Sequence, residues 1–278
     1  MLESLVQLGH PIRSGHGLAR GLIGWYLSLP GQARGLTFRD LSGLRRAHGT
    51  HSGGVTWSPA TRPGGLGPAP TYVSASSQYT DLSALDTAID GLTACTLALW
   101  VNRTAGTFAG FTRGSNAAKL RFGLMWFSNN TIYGLCDNGT VDGYTVTSAN
   151  TSAGWRSLAL VYDASEATAA DRLKIYLDAV RLSASATGTI GSSIQSTTGL
   201  AVGRIPSGGS YGYQTGAADD VAVWNRALSA TEIAAWYRSS LTGHRGLLRQ
   251  TRLPVTGAAV TFNAGRVRRA YVIGGGVH

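Results

Sequence analysis

The sequence predicts an all-β protein, a two-sheet antiparallel jelly-roll sandwich with one short helix near its C-terminal end. Two observations support this prediction. The chain has 38 glycines and 8 prolines but only 14% charged residues, a composition typical of turn-rich β proteins. Short apolar runs also recur every 10–15 residues between turn signals, which is the spacing expected of a sandwich or jelly roll.

The first quarter of the chain gives weak strand signals. Residues 1–17 are predicted to be an N-terminal arm, because prolines and glycines interrupt any regular element there. An apolar run at residues 18–29 predicts the first strand. Residues 31–54 are polar and basic, and residues 53–70 read as a Gly/Pro-rich loop. Alternating side chains predict another strand over residues 71–82.

The strongest strand prediction covers residues 92–101, LTACTLALWV. Its near-continuous apolar character indicates that both of its faces are covered, as in the middle of a sandwich. In residues 172–182, apolar and polar residues alternate, so one face should point inward, and Asp178 and Ala179 should form a hairpin tip. Further strands are predicted over residues 107–112, 119–127, 131–136, 143–147, 155–162 and 199–205.

Residues 216–237, GAADDVAVWNRALSATEIAAWY, are predicted to form a turn, a strand and a helix. The turn carries Asp219 and Asp220. Ser229 and Glu232 have the spacing of a capping box, in which each side chain bonds the other residue's backbone amide. Apolar residues then recur at i, i+3 and i+4, so the helix has one face that should pack on a sheet.

Positive charge is concentrated at the two ends of the chain. The net charge is +10, and no acidic residue follows Glu232. Residues 241–278 are predicted to be a basic C-terminal arm with short strands, too small to bury a core of its own. Basic ends commonly meet acidic proteins, nucleic acid or anionic lipid; a protein partner is favoured, nucleic acid is less expected, and a solvated surface is the alternative. The arm residues expected to bind a partner are Arg13, Arg20, Arg245, Arg249, Arg252, Arg266, Arg268 and Arg269.

Cysteine usage and hydropathy limit the cellular context. Cys95 and Cys136 each lie in an apolar run and are predicted to be buried thiols rather than a disulfide framework. The first residues lack the basic start and long apolar core of a signal peptide. No uncharged apolar stretch reaches the length of about 18 residues that a membrane span needs. We therefore expect a protein that is made in a cytoplasm and does not associate with a membrane.

Three passages resemble a known pattern. GLIGWYL at residues 21–27 is similar to a GLVGYW opening, DLSGLRRAHGT at residues 40–50 to a D-x-S-G-x-x-x-H-G-T segment, and DDVAVWNRALSATEIAAWY at residues 219–237 to a closing strand and helix. Together they resemble the laminin G-like, concanavalin A-like jelly-roll family, in the branch common in bacterial and bacteriophage proteins. The resemblance covers residues 18–240 and implies a two-sheet sandwich of a dozen or more strands between the two arms.

The resemblance also implies a structural calcium ion, for which Asp219 is the natural ligand. Calcium takes six to eight oxygen ligands, several of them backbone carbonyls. Where the family's opening motif usually has an acid, however, this chain has Ser28, and a lost carboxylate lowers the affinity. The alternative is that Asp219 and Asp220 cap a turn through their own backbone amides. No cofactor is required on either interpretation.

The sequence predicts a protein that is not an enzyme. Glycosidases of lectin-like fold need two carboxylates that flank the scissile bond, and the three glutamates lie in an arm, a loop and a helix cap. Most of the six histidines lie in arms or loops, and no G-x-S-x-G accompanies a serine. His48 and His51 are close together but lack a third ligand, so they are expected to face solvent.

Aromatic residues are the candidates for glycan contact. Those inside predicted strands, Tyr133 and Tyr144 among them, are assigned to core packing. Tyr211 and Tyr213 lie in a Gly/Ser-rich segment and are predicted to be exposed, where they can stack on sugar rings.

Two functions stay open at this level. The first is a non-enzymatic structural protein of a bacteriophage-like virion, a capsid decoration or cement protein. It would assemble as a homo-oligomer and bind the major capsid protein or other virion proteins through arms that order on contact. The second is a carbohydrate-binding module for host or surface glycans, including a tail or fibre adhesin. The two are compatible, because a displayed jelly roll can touch host sugars.

Overall fold

The computed structural model describes residues 15–29, 35–42, 47–58, 62–103, 109–114, 120–137, 143–148, 153–207 and 210–244. These ranges contain 19 strands and three α-helices. In chain order they are β1 (Leu22–Tyr26), β2 (Thr37–Phe38), β3 (Gly49–Ser52), β4 (Thr56–Ser58), β5 (Ala69–Tyr72), β6 (Tyr79–Asp81), α1 (Asp86–Ile89), β7 (Ala94–Arg103), β8 (Ala109–Arg113), β9 (Phe122–Trp126), β10 (Thr131–Cys136), β11 (Tyr144–Ser148), β12 (Gly154–Asp163), α2 (Ala169–Arg172), β13 (Leu173–Leu177), β14 (Val180–Arg181), β15 (Ser185–Thr187), β16 (Ala201–Val202), β17 (Arg204–Ser207), β18 (Ser210–Tyr213), β19 (Gly216–Trp224) and α3 (Ala230–Leu241).

Two antiparallel sheets face each other, which confirms the predicted all-β sandwich. One sheet has eight strands in the order β14-β13-β12-β7-β19-β5-β4, with β1 also paired to β19. The other has nine strands in the order β15-β11-β10-β9-β8-β16-β6-β3-β2. The hairpin β17-β18 forms a separate two-stranded sheet. The long strand β19 pairs with β7 along one edge, and along its other edge with β5 through its first residues and with β1 through its last.

The main core lies between the two sheets, and a second core covers the outer face of the eight-stranded sheet. Strand β7 contributes to both, because Leu97 faces the first core and Ala98 the second. This confirms that both faces of the predicted strand 92–101 are covered. In the second core, the Trp236 ring packs edge-on against Trp25 and Trp224, with centroids 5.7 and 4.8 Å away. Helix α3 is therefore an integral part of the sandwich.

The capping box that the sequence predicted is present at the start of α3. The Ser229 hydroxyl accepts a hydrogen bond from the Glu232 amide at 3.2 Å, and the Glu232 carboxylate accepts one from the Ser229 amide at 2.9 Å. The helix runs to Leu241, beyond the predicted end at Tyr237. Because Ser240 and His244 are buried, the residues that follow the predicted helix end pack on the sandwich as far as His244.

Several predicted strands differ from the observed ones. The first strand is shorter than 18–29, because residues Gly17–Ala19 form a 3-10 turn whose buried Leu18 accepts a hydrogen bond from Trp224. The predicted strand 71–82 is two strands in different sheets, β5 and β6, separated by a 3-10 turn that ends at Ser77 with a positive φ of 53°. The predicted loop 53–70 contains β4, which extends the edge of the eight-stranded sheet.

Positive φ angles explain one further difference and one confirmed prediction. The predicted strand 199–205 breaks at Gly203, where φ is +87°, so that β16 ends and β17 turns off the sheet. The hairpin tip at Asp178 and Ala179 is confirmed, since both residues have φ near the left-handed region, 48° and 67°. The alternation predicted for 172–182 is also confirmed, because Leu173 and Ile175 lie in the main core.

No helix in the described ranges is long and apolar enough to cross a membrane.

Candidate functional site

The outer face of the nine-stranded sheet carries aromatic side chains that the main core does not use. On β10, Ile132 lies in the core between the sheets, so strand alternation points Tyr133 and Leu135 outward. The sheet register pairs Tyr133 with Met125 of β9 and Leu135 with Tyr144 of β11. Apolar side chains from three adjacent strands therefore meet on this face.

Phe127, Tyr133 and Tyr144 form a continuous row, here called the aromatic ladder. The Phe127 and Tyr133 rings meet edge-on with centroids 5.2 Å apart, and Tyr133 and Tyr144 are 5.3 Å apart with planes at 53°. All three side chains are half-buried, so each ring keeps a surface that solvent can reach. The ladder packs against a small buried cluster of Met125, Leu135 and Ile205 on the same face.

The β17-β18 hairpin lies against the same face beside the aromatic ladder. The Thr112 hydroxyl of β8 donates a hydrogen bond to the Arg204 carbonyl at 2.6 Å. The Gly203 amide donates to the Gly110 carbonyl at 2.8 Å. Ile205 of β17 then packs into the cluster that the ladder contacts. The hairpin thus covers the part of the sheet face next to the aromatic ladder.

A second aromatic pair lies on the hairpin's own side of this face. Tyr79 of β6 and Tyr213 of β18 have ring centroids 6.3 Å apart. The Arg204 guanidinium lies over the Tyr79 ring, 4.1 Å from its centroid, a cation–π arrangement. The backbone of Tyr211 belongs to β18, and its side chain lies outside the described residues.

The sequence predicted exposed loop tyrosines and buried strand tyrosines, but the structure does not show this difference in exposure. Tyr213 is half-buried, as are Tyr133 and Tyr144, which were assigned to the core. Tyr133 and Tyr144 do pack against a buried cluster, but on the outer face of the sheet, because both faces of β10 carry apolar residues and the sequence does not reveal which face is turned outward.

A buried ion cluster of Arg62, Asp219, Asp220 and His244 lies under helix α3. The side chains of all four are completely buried. Arg62 Nε donates to Asp219 Oδ2 at 3.1 Å, and Arg62 Nη2 lies 3.1 Å from Asp220 Oδ2 as a charge contact. His244 Nε2 lies 2.7 Å from the same Asp220 oxygen. The two carboxylates therefore share one guanidinium and one imidazole.

A bulge in β19 brings the two aspartates together, where the sequence predicted a turn. The pairing of β19 with β7 shifts register between Asp219 and Ala222, and Asp220 has a positive φ of 52°. An extra residue at a bulge redirects its side chain. The Asp219 carboxylate accepts hydrogen bonds from the Ser28 and Asp220 amides at 2.8 and 2.7 Å. The predicted capping of a neighbouring backbone amide is thus present, although within a strand.

The aspartates do not fit a calcium ion as the cluster stands. Both Asp219 oxygens have partners, as above, and Asp220 Oδ1 accepts from the Trp25 indole at 2.9 Å while its other oxygen faces Arg62 and His244. Six to eight oxygen ligands are needed around calcium, but a guanidinium lies between these carboxylates. Within the ranges that the structure describes, no group of three or more His, Cys, Asp or Glu residues is placed to hold a metal.

Burial and charge act in opposite directions on the two carboxyl groups. Burial raises the pKa of Asp219 above its usual range, against the lowering effect of Arg62. Burial alone would also raise the pKa of Asp220, but the neighbouring His244 and Arg62 outweigh it, and the pKa is lowered. Charge pairing therefore holds Asp220 ionised in an interior that would otherwise favour the neutral acid.

Nothing in the sequence marks Arg62 or His244 as partners of the aspartates. Arg62 lies in the Gly/Pro-rich segment, and His244 lies just after α3, each far from β19 in the chain. Neither residue belongs to a recognisable motif, so only the fold brings them together.

His48, His51 and the two cysteines have structural environments. His51 is buried, contrary to the prediction that it faces solvent, because β3 turns it into the core, where its Nδ1 lies 2.8 Å from the Thr80 hydroxyl. His48 Nδ1 accepts from the Asp40 amide instead of joining His51. Cys95 and Cys136 are free and buried, as predicted.

Of the arginines predicted to bind a partner, only Arg20 is described, and its side chain is exposed. Arg13, Arg245, Arg249, Arg252, Arg266, Arg268 and Arg269 lie outside the described residues.

A family model described as the concanavalin A-like lectin/glucanases superfamily matches residues 74–234, more than half of the chain. A search of curated protein sequences finds no match.

Solved structures with the same sandwich include sialidases and toxin binding domains. A Trypanosoma rangeli sialidase mutant that displays trans-sialidase activity has a TM-score of 0.56 and 16% identity, covering 80% of this chain and 34% of its own. The binding domain of botulinum neurotoxin DC in complex with SialylT has a TM-score of 0.56 and 8% identity, covering 81% of this chain and 52% of its own. A botulinum neurotoxin type C structure, whose cell entry depends on two ganglioside molecules, has a TM-score of 0.53 and 12% identity, covering 79% and 51%. The chain thus spans between one third and about half of the length of these proteins, and the likeness is one of fold.

Proposed function

The chain belongs to the concanavalin A-like lectin/glucanases superfamily, and we propose that it is a carbohydrate-binding module that holds a glycan on the outer face of its nine-stranded sheet. The observation that carries the proposal is the aromatic ladder of Phe127, Tyr133 and Tyr144 on that face. The three rings contact one another beside a hairpin and lie outside the core between the two sheets. They therefore leave an aromatic surface on which a ligand can pack.

The chemistry of the ladder suits a sugar ring. One face of a pyranose presents C–H groups, which pack on the electron-rich face of an aromatic ring, while tyrosine hydroxyls supply a polar contact at the edge. Binding sites of this kind combine apolar walls with a few polar groups that fix orientation. The Arg121–Asp137 ion pair, 2.7 Å long, lies where β9 begins and β10 ends, close to the Leu135–Tyr144 pair, and supplies such groups.

The carbohydrates named for two proteins of similar fold support the same function. SialylT is bound by the neurotoxin DC binding domain, and gangliosides by neurotoxin type C. The low identities transfer no residue from those proteins, so the ladder is argued from this chain alone.

The decisive experiment is a glycan array probed with the full-length protein and with a Y133A/Y144A double variant. We expect the wild type to bind a defined set of glycans and the double variant to lose that binding. Tyr237→Ala is the matched control, because Tyr237 is also a half-buried tyrosine but stacks on Trp100 under α3. Binding that the double variant retains, or that Y237A loses equally, would contradict the assignment of the face.

We propose binding without catalysis. The two described glutamates are both engaged, Glu166 with Lys174 and Glu232 with Arg226 and the helix cap. Incubation of the full-length protein with the bound glycan, followed by mass spectrometry of the sugar, is expected to return it intact. Released fragments would overturn this part of the proposal.

A second proposal, which rests on the sequence, is that the module is displayed on a virion as a capsid decoration protein. Its support is the basic C-terminal arm, in which arginines follow Glu232 without any acidic residue. Such an arm suits an acidic protein surface. We expect the full-length protein to add to capsids that lack it, and a variant truncated after His244 to fail to add while still binding glycan. Equal addition by both proteins would contradict the role of the arm.

A further inference from the structure

The buried ion cluster contains a positively charged side chain at the position where the resemblance to laminin G-like jelly rolls implies a calcium ion. We propose that the guanidinium of Arg62 is a resident cation that replaces a divalent metal in this chain, so that the strand, loop and helix around Asp219 and Asp220 are held together without metal.

The oxygen atoms around the guanidinium form the kind of set that calcium prefers. Two are carboxylate oxygens, Asp219 Oδ2 and Asp220 Oδ2, each 3.1 Å from an Arg62 nitrogen. Two are backbone carbonyls, those of Ser240 and Pro63, which accept from Arg62 Nη1 at 2.7 and 2.9 Å. Carboxylates combined with carbonyl oxygens are typical ligands of calcium. Here Nε and Nη1 of the planar guanidinium donate to three of these oxygens, and Nη2 meets Asp220 Oδ2 as a charge contact.

The same guanidinium leaves no room for a second cation. Arg62 is completely buried, with its guanidinium 5.6 Å from the centre of the Trp100 ring. An arginine remains protonated in proteins, so a metal ion beside it would be repelled without water to screen the charge. The other Asp219 oxygen is taken by the Ser28 and Asp220 amides. Ser28 itself stands where the family's opening motif usually has an acid, which fits a site that needs one negative charge fewer.

Arg62 joins segments that are distant in the sequence. Through Asp219 it reaches Ser28 after β1, through the Ser240 carbonyl it holds the end of α3, and Asp220 links it to His244. Arg62 therefore ties the residues after β1 and the end of α3 to the bulge in β19.

The test is the thermal unfolding of the full-length protein with millimolar calcium and with EDTA. We expect the Tm of the wild type to be the same in both. Arg62→Gly should lower the Tm by about 10 °C, because it leaves two buried carboxylates without their partner. Calcium or methylguanidinium should then raise the Tm of this variant, since each supplies the missing charge.

Arg113→Gly is the matched control. Arg113 is a second completely buried arginine, paired with Asp86 in another part of the fold, so its loss should destabilise the protein without creating a response to calcium that depends on Asp219. A wild-type Tm that rises with calcium and falls with EDTA overturns the proposal, as does an R62G variant that neither cation stabilises. If R62G does not fold, calorimetric titration of calcium into the wild type decides: no saturable uptake supports the proposal, and uptake that Asp219→Asn abolishes overturns it.

Discussion

Tyr133 and Tyr144 are diagonal neighbours on adjacent strands, with ring centroids 5.3 Å apart and planes at 53°. The register pairs Tyr133 with Val146 and Leu135 with Tyr144, so the rings meet across two rows of the sheet. Neither ring belongs to the core between the sheets. The small buried cluster that they pack against is separate from that core. Their contact is therefore a property of the outer face, where a ligand can add to it.

Single substitutions in the ladder separate stacking from hydrogen bonding. Tyr133→Ala and Tyr144→Ala are each expected to weaken glycan binding about tenfold, which is about 1.4 kcal/mol, because an aromatic surface is removed. Tyr133→Phe keeps the ring and should lose less than Tyr133→Ala. Isothermal titration calorimetry with the best glycan from the array measures each affinity.

The thermal stability of the same variants is the control for this prediction. The ladder residues are half-buried, so the alanine variants should keep a cooperative unfolding transition. If Tyr133→Ala binds the glycan as tightly as the wild type, the ladder is not part of the binding site, even if the variant is less stable.

Gly64 is predicted to be essential for the contact between the Arg62 loop and the end of α3. Its φ is +69°, and a Cβ added there would lie 2.3 Å from the Leu241 carbonyl oxygen, which is a backbone atom that cannot move aside. Gly64→Ala should therefore cost about 3 kcal/mol, from the left-handed backbone and the clash together. Chemical denaturation measures the free energy of unfolding.

Gly91 provides a closely matched control. It has the same φ of +69°, but a Cβ added there meets nothing within 4 Å. Gly91→Ala should thus cost only the backbone strain, about 1 kcal/mol. The difference between the two variants isolates the packing of the loop against the helix, and equal losses would show that this packing is not tight.

His51 should make the free energy of unfolding depend on pH in the weakly acidic range. Burial lowers the pKa of His51 from 6.5 to about 4. The unfolded chain binds a proton below pH 6.5 while the folded chain does not, so stability is complete above that pH and falls as the pH drops toward 4. The total loss is up to about 3 kcal/mol.

His51→Gln tests this dependence, because glutamine is polar but does not titrate in this range. The variant is expected to be less stable than the wild type at pH 7, where it loses the ring contacts with Phe38 and Trp57, but to change less between pH 6.5 and 4. If the free energy of unfolding falls equally with pH in both proteins over that range, groups other than His51 cause the acid sensitivity.

The elements that sequence reasoning predicted well are those whose signal is local. Ser229 and Glu232 stand three residues apart and determine the start of α3 by themselves, and the apolar strand at residues 92–101 is buried on both faces wherever it lies. The predicted strand 71–82 failed for the opposite reason. Its residues alternate throughout, but a left-handed Ser77 reverses the chain between two sheets, and serine gives little warning of that conformation.

The candidate sites were harder to predict because they depend on the fold. In β10, Ile132 and Tyr133 are both large and apolar, so alternation alone does not tell which of them faces the core. Arg62 and Asp219 are 157 positions apart, and the Gly/Pro-rich segment around Arg62 reads as a loop. The sequence singled out Asp219 and Asp220 as turn caps or a calcium site, but nothing in it pointed to the arginine that pairs with Asp219.

Glu232 should stabilise the protein at mildly acidic pH through contacts that extend beyond the helix cap. Its carboxylate binds both terminal nitrogens of Arg226 at 3.0 and 2.7 Å, and Arg226 in turn donates to the carbonyls of Gly17 and Arg20. The hydrogen bond with Arg226 is the main cause that lowers the pKa of Glu232 to about 2. Since the folded pKa lies below the unfolded value, this contribution is complete above about pH 4.5 and is lost as the pH falls through 2.

Glu232→Gln is therefore expected to lower the free energy of unfolding at pH 7 by about 1 kcal/mol, after allowance for solvent screening of a partly exposed pair. The same variant should lose less stability than the wild type between pH 4.5 and 2, a window below that of His51. Glu166→Gln is the control, since Glu166 forms a single contact with the flexible Lys174 side chain and no helix cap, and should change the stability by a few tenths of a kcal/mol at most. If both variants behave alike, the link from the helix cap through Arg226 to the N-terminal turn contributes nothing measurable, and the bidentate pair is only a surface contact.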